Sequence, residues 1–240
     1  MDLLHKAINS YSANTIGILD SAIPTHKYIP LNLSKHNEDL MNIDITNYTI
    51  CQNYIDGVLK IEDGSVACGG YLEQRNLYID KESFTSPDEP IRNIHLGIDF
   101  WCNVGTKVVV PLAGKVHSFK NNNSMGDYGP TIILEHVLDD IKFYTLYGHL
   151  AVASISGLIK GRVFKAGDIL ATLGDSDINM NYAPHLHFQI IHDLEDNEGD
   201  YPGVCSEALL PFYKANCPDP NLLLKLTVVS SSSIKYKVLS

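Results

Sequence analysis

Three short stretches hold residues able to do chemistry: Ile94-His95-Leu96-Gly97-Ile98-Asp99-Phe100, Tyr147-Gly148-His149-Leu150 and His185-Leu186-His187-Phe188-Gln189-Ile190. Read as strands, the first puts His95, Gly97 and Asp99 on one face and its aliphatic residues on the other, because successive side chains alternate. The third puts His185, His187 and Gln189 opposite Leu186, Phe188 and Ile190. In the second, His149 falls in line with Thr145 and Tyr147 rather than with the leucines. Three strands therefore each offer an imidazole away from the core. Zinc accepts imidazole nitrogen and carboxylate oxygen, and a catalytic site uses three such ligands and keeps one position open. A pair such as His95 and Asp99, with a third ligand from another strand, meets that need. Zinc lowers the pKa of a bound water to about 7 and polarises an attacked carbonyl. Further histidines can move protons, since an unperturbed imidazole titrates near pH 6.5. His5, His26, His36, His117, His136 and His192 stand alone in their segments, so surface or hydrogen-bonded roles suffice for them.

The elements that must position these residues are short and β-rich. Between about Arg92 and His192, alternating runs at Ile94–Phe100, Lys107–Val110, Lys115–Phe119, Thr131–His136, Phe143–Leu150, Asp168–Leu173 and His185–Ile191 are separated by glycine turns. That spacing predicts an all-β region. Two similar turns, Leu112-Ala113-Gly114-Lys115 and Lys165-Ala166-Gly167-Asp168, suggest hairpins of a small barrel-like sandwich. Residues 1–48 read as loop with short elements. Cys51, Tyr54, Ile55, Val58 and Leu59 then fall at helical spacing, with Thr46 as a cap and Gly64 beyond the end. Asp193, Glu195, Asp196, Glu198 and Asp200 form an acidic solvated loop: Glu198 stands where a calcium loop needs glycine. Asp219-Pro220 starts a short terminal helix through Leu222 to Leu226, and Ser230–Ser233 reads as a tail. The expected division is an N-terminal extension with one helix over 1–80, a metal-binding domain over 81–200 and a C-terminal extension and tail over 201–240.

Composition excludes several classes. The 240 residues carry 28 acidic and 18 basic side chains, a net charge of −10, with no basic patch, which argues against a nucleic-acid partner. No apolar run approaches membrane-spanning length, so no membrane partner is expected. Cys51, Cys68, Cys102, Cys205 and Cys217 are odd in number and lack any C-x-x-C pair, consistent with reduced, mostly buried thiols. The first residues show no secretory signal, so the expected compartment is the cytoplasm, or the periplasm or exterior if a leader has been removed. Oligomeric state has no signature.

His95-Leu96-Gly97-Ile98-Asp99, Tyr147-Gly148-His149-Leu150 and Pro184-His185-Leu186-His187-Phe188 together resemble, in order and content, the lysostaphin-type or LytM-like zinc metallopeptidases. Gly105-Thr106-Lys107-Val108, Gly114-Lys115-Val116, Tyr128-Gly129 and Gly167-Asp168 match that family's turns, and the likeness covers about Arg92 to Ile191. It implies one Zn2+ per chain held by His95, Asp99 and His187, with His149 and His185 as the catalytic pair. It also implies a mainly β, antiparallel barrel-like sandwich, the duplicated hybrid motif, here with short helical N- and C-terminal extensions. The implied activity is endopeptidase cleavage of a peptide amide, with peptidoglycan or a related glycine- or D-amino-acid-containing peptide as substrate. Many members carry a tyrosine just before the first ligand; Tyr78 is the nearest here, and its sequence distance does not transfer the role. The flanks, Gly69-Gly70-Tyr71-Leu72-Glu73 and Cys217-Pro218-Asp219-Pro220-Asn221, resemble the version joined to kinase-like and class III aminotransferase domains.

Two rivals stand beside this reading. Glucose-type phosphotransfer domains resemble the same folds and pass a phosphoryl group between paired histidines, but the third histidine-bearing strand favours the hydrolase. An inactive binding or regulatory module would have lost ligands, and all five positions are filled. No lysine flanked by methionines marks a lipoyl-type or biotinyl-type carrier.

Overall fold

The computed structural model describes residues 3–78, 90–124, 126–178 and 182–228. The expected boundary between 80 and 81 and the Ser230–Ser233 tail lie outside these residues. In chain order the strands are β1 (Tyr28–Pro30), β2 (Val66–Gly69), β3 (Ile94–His95), β4 (Ile98–Trp101), β5 (Lys107–Val109), β6 (Gly114–Asn122), β7 (Gly129–Leu138), β8 (Ile141–Gly148), β9 (Val163–Phe164), β10 (Ile169–Thr172), β11 (His185–Ile191) and β12 (Val204–Cys205). The helices are α1 (Leu3–Tyr11), α2 (Tyr48–Ile61), α3 (Val152–Ile155), α4 (Leu210–Asn216) and α5 (Asn221–Leu224).

Eight strands form one sheet in the order β1-β2-β4-β11-β8-β7-β6-β9, antiparallel except for the parallel β1·β2 pair. β5 pairs with β10 and β3 with β12 in separate two-stranded sheets. The barrel-like, mainly β expectation is therefore wrong: this is a mixed α/β fold around a large open sheet, and among the described residues no sheet closes. The reason lies in the edges. The N-terminal segment lays β2 and then β1 along the outer side of β4, and the Leu19–Val108 bridge lays it along β5. Strand edges that closure would pair with one another are instead taken by the extension.

The two similar turns are not hairpins either. Each carries the chain from one sheet to the other, β5 to β6 and β9 to β10, while the strands pair as β6·β9 and β5·β10. Gly167, at φ 87°, makes the second crossing tight, and its N–H reaches the Val110 carbonyl at 2.8 Å.

One face of the large sheet is mostly apolar. Ile98 and Phe100 of β4, Leu186, Phe188 and Ile190 of β11, Tyr147 of β8 and Ile132 and Leu134 of β7 pack there with Leu4 and Ile8 of α1 and Leu223 and Leu224 of α5. The opposite face carries two smaller clusters. One joins Tyr54, Ile55 and Val58 of α2 to Ala67 and Trp101; the other joins Ile133, Leu146, Ile191 and Cys217. α2 is capped by Asn47, whose side chain accepts from Ile50 N–H at 3.2 Å, rather than by Thr46. The polar residues of the three motifs lie between these two clusters.

Candidate metal centre and proton-transfer site

Register decides which residues meet. His187 of β11 stands opposite Asp99 of β4 and opposite Gly148 of β8, so His187 and Asp99 share a face and Gly148 leaves room between them. His185 stands opposite Trp101, whose ring stacks on it with centroids 5.6 Å apart. His95 arrives from the neighbouring β3, because the predicted single strand breaks at Leu96-Gly97. A Cβ on Gly97 would lie 2.8 Å from the His187 ring and 2.6 Å from the Phe188 carbonyl, so only glycine lets β3 turn across β11.

His149 reaches the site by a route alternation does not give. Phe188 and Ile190 stand opposite Tyr147 and Thr145, which puts 145 and 147 on the apolar side of the sheet, not the site side. His149 follows the last residue of β8 with φ 61°, a left-handed conformation uncommon outside glycine. Its N–H donates to the Tyr128 carbonyl at 2.8 Å, and its own carbonyl accepts from Gly174 N–H at 3.1 Å. That pinned turn brings the imidazole round until its centroid is 4.0 Å from the His185 ring.

Three atoms converge. His95 Nε2 lies 2.9 Å from His187 Nδ1 and 3.2 Å from Asp99 Oδ1, and His187 Nδ1 lies 3.1 Å from the same oxygen. Ligands held about 2.0–2.1 Å from a tetrahedral metal stand roughly 3.3 Å apart, so this triangle is one face of such a tetrahedron. The remaining atom of each group fixes its role. His95 Nδ1 is 3.0 Å from the Gly70 carbonyl and donates to it, which leaves Nε2 as a lone pair. His187 Nε2 donates to Gln189 Oε1 at 2.9 Å; Gln189 is itself oriented by its Nε2–H bond to the Pro202 carbonyl at 3.2 Å. Asp99 Oδ2 accepts from Arg75 Nη1 at 2.6 Å. Three acceptors therefore face one another with no proton assigned between them, and the donor set fits a single divalent cation.

Burial tunes these groups. It pushes His95 down to about 4, with the Arg75 cation adding to the effect, so the imidazole is neutral and ready to ligate. Burial alone would raise the Asp99 carboxyl, but His95, Arg75 and His185 around it hold it well below the carboxylate range. His149 is driven well down by burial and by His185 and His187, and His185 is lowered mainly by burial. His185 Nδ1 donates to the Ala183 carbonyl at 2.7 Å, which leaves Nε2 unprotonated, 3.9 Å from Asp99 Oδ1. The five predicted residues thus come together in one place. They open into a cleft of about 290 Å³, with Ile45, Tyr48 and Leu77 from the N-terminal extension on one wall and Asp200, Tyr201 and Pro202 on another.

Residues 93–199 match the model of peptidase family M23. The matched segment contains all of His95, Asp99, His149, His185 and His187. The catalytic domain of lysostaphin from Staphylococcus simulans is 26% identical over 51% of this chain and 80% of its own, with a TM-score of 0.35. Csd3 of Helicobacter pylori is 27% identical over 42% of this chain and 24% of its own (TM-score 0.30), and a zinc-containing peptidase of Vibrio cholerae is 26% identical over 41% and 27% (TM-score 0.30). The chain thus spans about a quarter of the last two. No curated protein matches the chain. The His-Asp-His donor set within the matched segment supports a metalloendopeptidase acting on peptide bonds.

Sequence reasoning gave no role to Gly70, Arg75 and Gln189, which hold the ligands' far atoms. Gln189 was in view, on the histidine face of its strand, and its spacing two residues after His187 is the signal. Glu73-x-Arg75 beside Gly69-Gly70 is a weaker one. Tyr78, distant in sequence from the first ligand, lines the same cleft with its hydroxyl 3.3 Å from Arg75 Nη1. No helix among the described residues is long and apolar enough to cross a membrane.

Proposed function

We propose that the protein is a zinc endopeptidase whose metal is held by His95 Nε2, Asp99 Oδ1 and His187 Nδ1, and whose substrate is a peptidoglycan-type peptide containing glycine or D-amino acids. The observation that carries this reading is the triangle of three facing acceptors. When bound there, zinc supplies Lewis acidity, lowering the pKa of water and polarising the scissile carbonyl. His185 takes the proton of the attacking water at Nε2, because Nδ1–H is committed to Ala183 and Trp101 keeps the ring from turning. His149, in ring contact with His185, would donate a hydrogen bond to the developing oxyanion, and His185 would pass the proton it took from water to the leaving amine. The wall of Tyr128, Tyr182 and Trp101 shields this exchange from bulk water.

A phosphocarrier would need a histidine nitrogen free to take a phosphoryl group; here the two converging nitrogens face a carboxylate, which disfavours that reading. The likeness of the flanks to aminotransferase-fused domains rests on the flanking residues alone and is kept as a proposal about relatives. The deciding experiment couples zinc quantification on the purified protein to cleavage assays on peptidoglycan, on glycine-rich peptides and on D-alanine-containing peptides. One zinc per chain with chelator-sensitive cleavage of at least one of these is expected. Stoichiometric zinc with no cleavage across the panel would overturn the substrate assignment.

A further inference from the structure

Asp99 is held from outside the segment that matches the M23 family. Arg75 lies in the N-terminal extension, has no exposed surface, and gives Nη1 to Asp99 Oδ2 and Nε to Glu73 Oε2, both at 2.6 Å. Glu73 is fixed in turn: its Oε1 accepts from the Leu33 N–H at 3.0 Å. The guanidinium plane also lies over Trp101, 5.5 Å from the ring centroid. A relay of alternating charge therefore runs from the backbone beside β1, through Glu73 and Arg75, to the oxygen of Asp99 that does not face the histidines.

The backbone is built around this relay. Residues 70–75 run beside 93–95 through Leu72 N–H to the His95 carbonyl at 2.8 Å, His95 N–H to the Glu73 carbonyl at 3.0 Å and Arg75 N–H to the Asn93 carbonyl at 2.9 Å. Gly70 supplies the carbonyl that orients His95, and a Cβ there would fall 1.8 Å from Arg75 Nη2. One glycine thus serves both ligands, accepting from His95 and leaving space for the group that grips Asp99. Its φ of 105° is a further reason for glycine there.

Burying a guanidinium is costly unless it is paired. For packing alone an apolar side chain would do as well, yet here the cation is placed where a carboxylate must present one oxygen and withhold the other. We infer that Arg75, oriented by Glu73, is a positioning residue of the metal centre: it makes Asp99 a one-oxygen ligand, so the N-terminal extension completes the site rather than merely flanking it. The inference rests on the reading that His95, Asp99 and His187 hold a metal. Arg75 also partly offsets the carboxylate's charge, which leaves the bound cation more electron-poor, while Glu73 keeps the buried cluster from carrying an excess positive charge.

The test is zinc affinity, measured on the full chain by competition with a chromogenic chelator, together with the visible spectrum of the cobalt(II)-loaded protein. The double variant E73Q/R75M removes Arg75 together with the charge of its part-buried partner Glu73, and leaves the buried Asp99 without its cation in the metal-free protein. Its metal-free melting temperature is therefore expected to fall by roughly 10 °C, with the chain still folded at 25 °C. Zinc affinity is expected to fall 10- to 100-fold, as for other partners of metal ligands. The cobalt bands are expected to weaken as the released Asp99 oxygen raises the coordination number. Should the double variant not fold, R75K carries the same test, because an ammonium cannot bond Glu73 and Asp99 in one plane; a smaller but clear loss is expected. Zinc affinity within about threefold of the parent and an unchanged cobalt spectrum in the folded variant would overturn the role of Arg75. A parent chain that binds no zinc would instead overturn the metal reading itself.

Discussion

Two buried polar clusters sit on opposite faces of the large sheet, one around His136 of β7 and one around His187 of β11, where His95 of β3 joins it. On the apolar side His136 is 1% exposed; its Nδ1–H meets the Ala113 carbonyl at 2.9 Å and its Nε2 the Thr145 hydroxyl at 2.7 Å, with the Tyr147 hydroxyl 3.1 Å further on. Each ring nitrogen there meets a partner of the complementary kind. On the other side His95 and His187 use one nitrogen each in the same way and turn the second toward each other and toward Asp99. Both clusters are buried, aromatic and hydrogen-bonded. Burial of a histidine therefore marks nothing by itself; what marks a ligand is a lone pair left facing other lone pairs.

That contrast can be broken most sharply by removing an acceptor. D99A or H187A is expected to abolish stoichiometric zinc and reduce peptide cleavage to background, as metal analysis and turnover on the same preparation will read. H149A and H185A should separate the proton-moving pair from the ligands: zinc retained, turnover lower by roughly 10²–10⁴-fold. If those variants lose zinc as readily as D99A, the assignment of roles is wrong. G97A intrudes on the Phe188 carbonyl and on Cε1 and Nε2 of the His187 ring rather than on the three converging atoms, and a loss in zinc affinity of about tenfold is expected by chelator competition.

H136Q gives the smallest effect on chemistry and sharpens the other half of the comparison. Zinc content and cleavage should match the parent, while stability drops. Burial lowers the His136 imidazole to about 4, so between about pH 6.5 and pH 4 the unfolded chain binds a proton that the folded chain refuses. Stability from this group is full above about pH 6.5 and is lost as pH falls toward 4, by about 3 kcal/mol in all. In denaturant titrations the parent should lose more stability on acidification than H136Q. Equal slopes would show that His136 does not stay neutral in the fold.

Strands β6, β7, β8 and β11 were legible because period-2 alternation survives in them, and α2 because five apolar residues keep helical spacing. That His95, Asp99, His149, His185 and His187 would share one cleft was legible because each falls in a β-rich motif beside aliphatic neighbours. Alternation nevertheless placed His149 on the right side for the wrong reason, since the left-handed turn after β8 reverses it. It also ran β3 and β4 together, because nothing local announces that Gly97 must pass under a ring. Sheet closure was not legible: alternation says which face is buried, not which edges pair. β1 and β2 are three and four residues long and depend on a parallel partner distant in sequence, and α1 shows too few turns to declare a period. Arg75 was missed because a buried cation looks like any surface arginine until its partners are known.

β4 is an interior strand, hydrogen-bonded to β2 on one side and β11 on the other. Asp99 and His187 are consequently locked in place by the folding of the whole sheet, before any ion arrives. Stripping the cation should leave a folded apoprotein that reloads without refolding, unlike small domains whose structure depends on their metal. The ion then adds stability only by mass action, in proportion to the logarithm of its free concentration over the dissociation constant. Loading of the site is then expected to follow the free metal concentration alone, with no folding step between the empty and the filled protein.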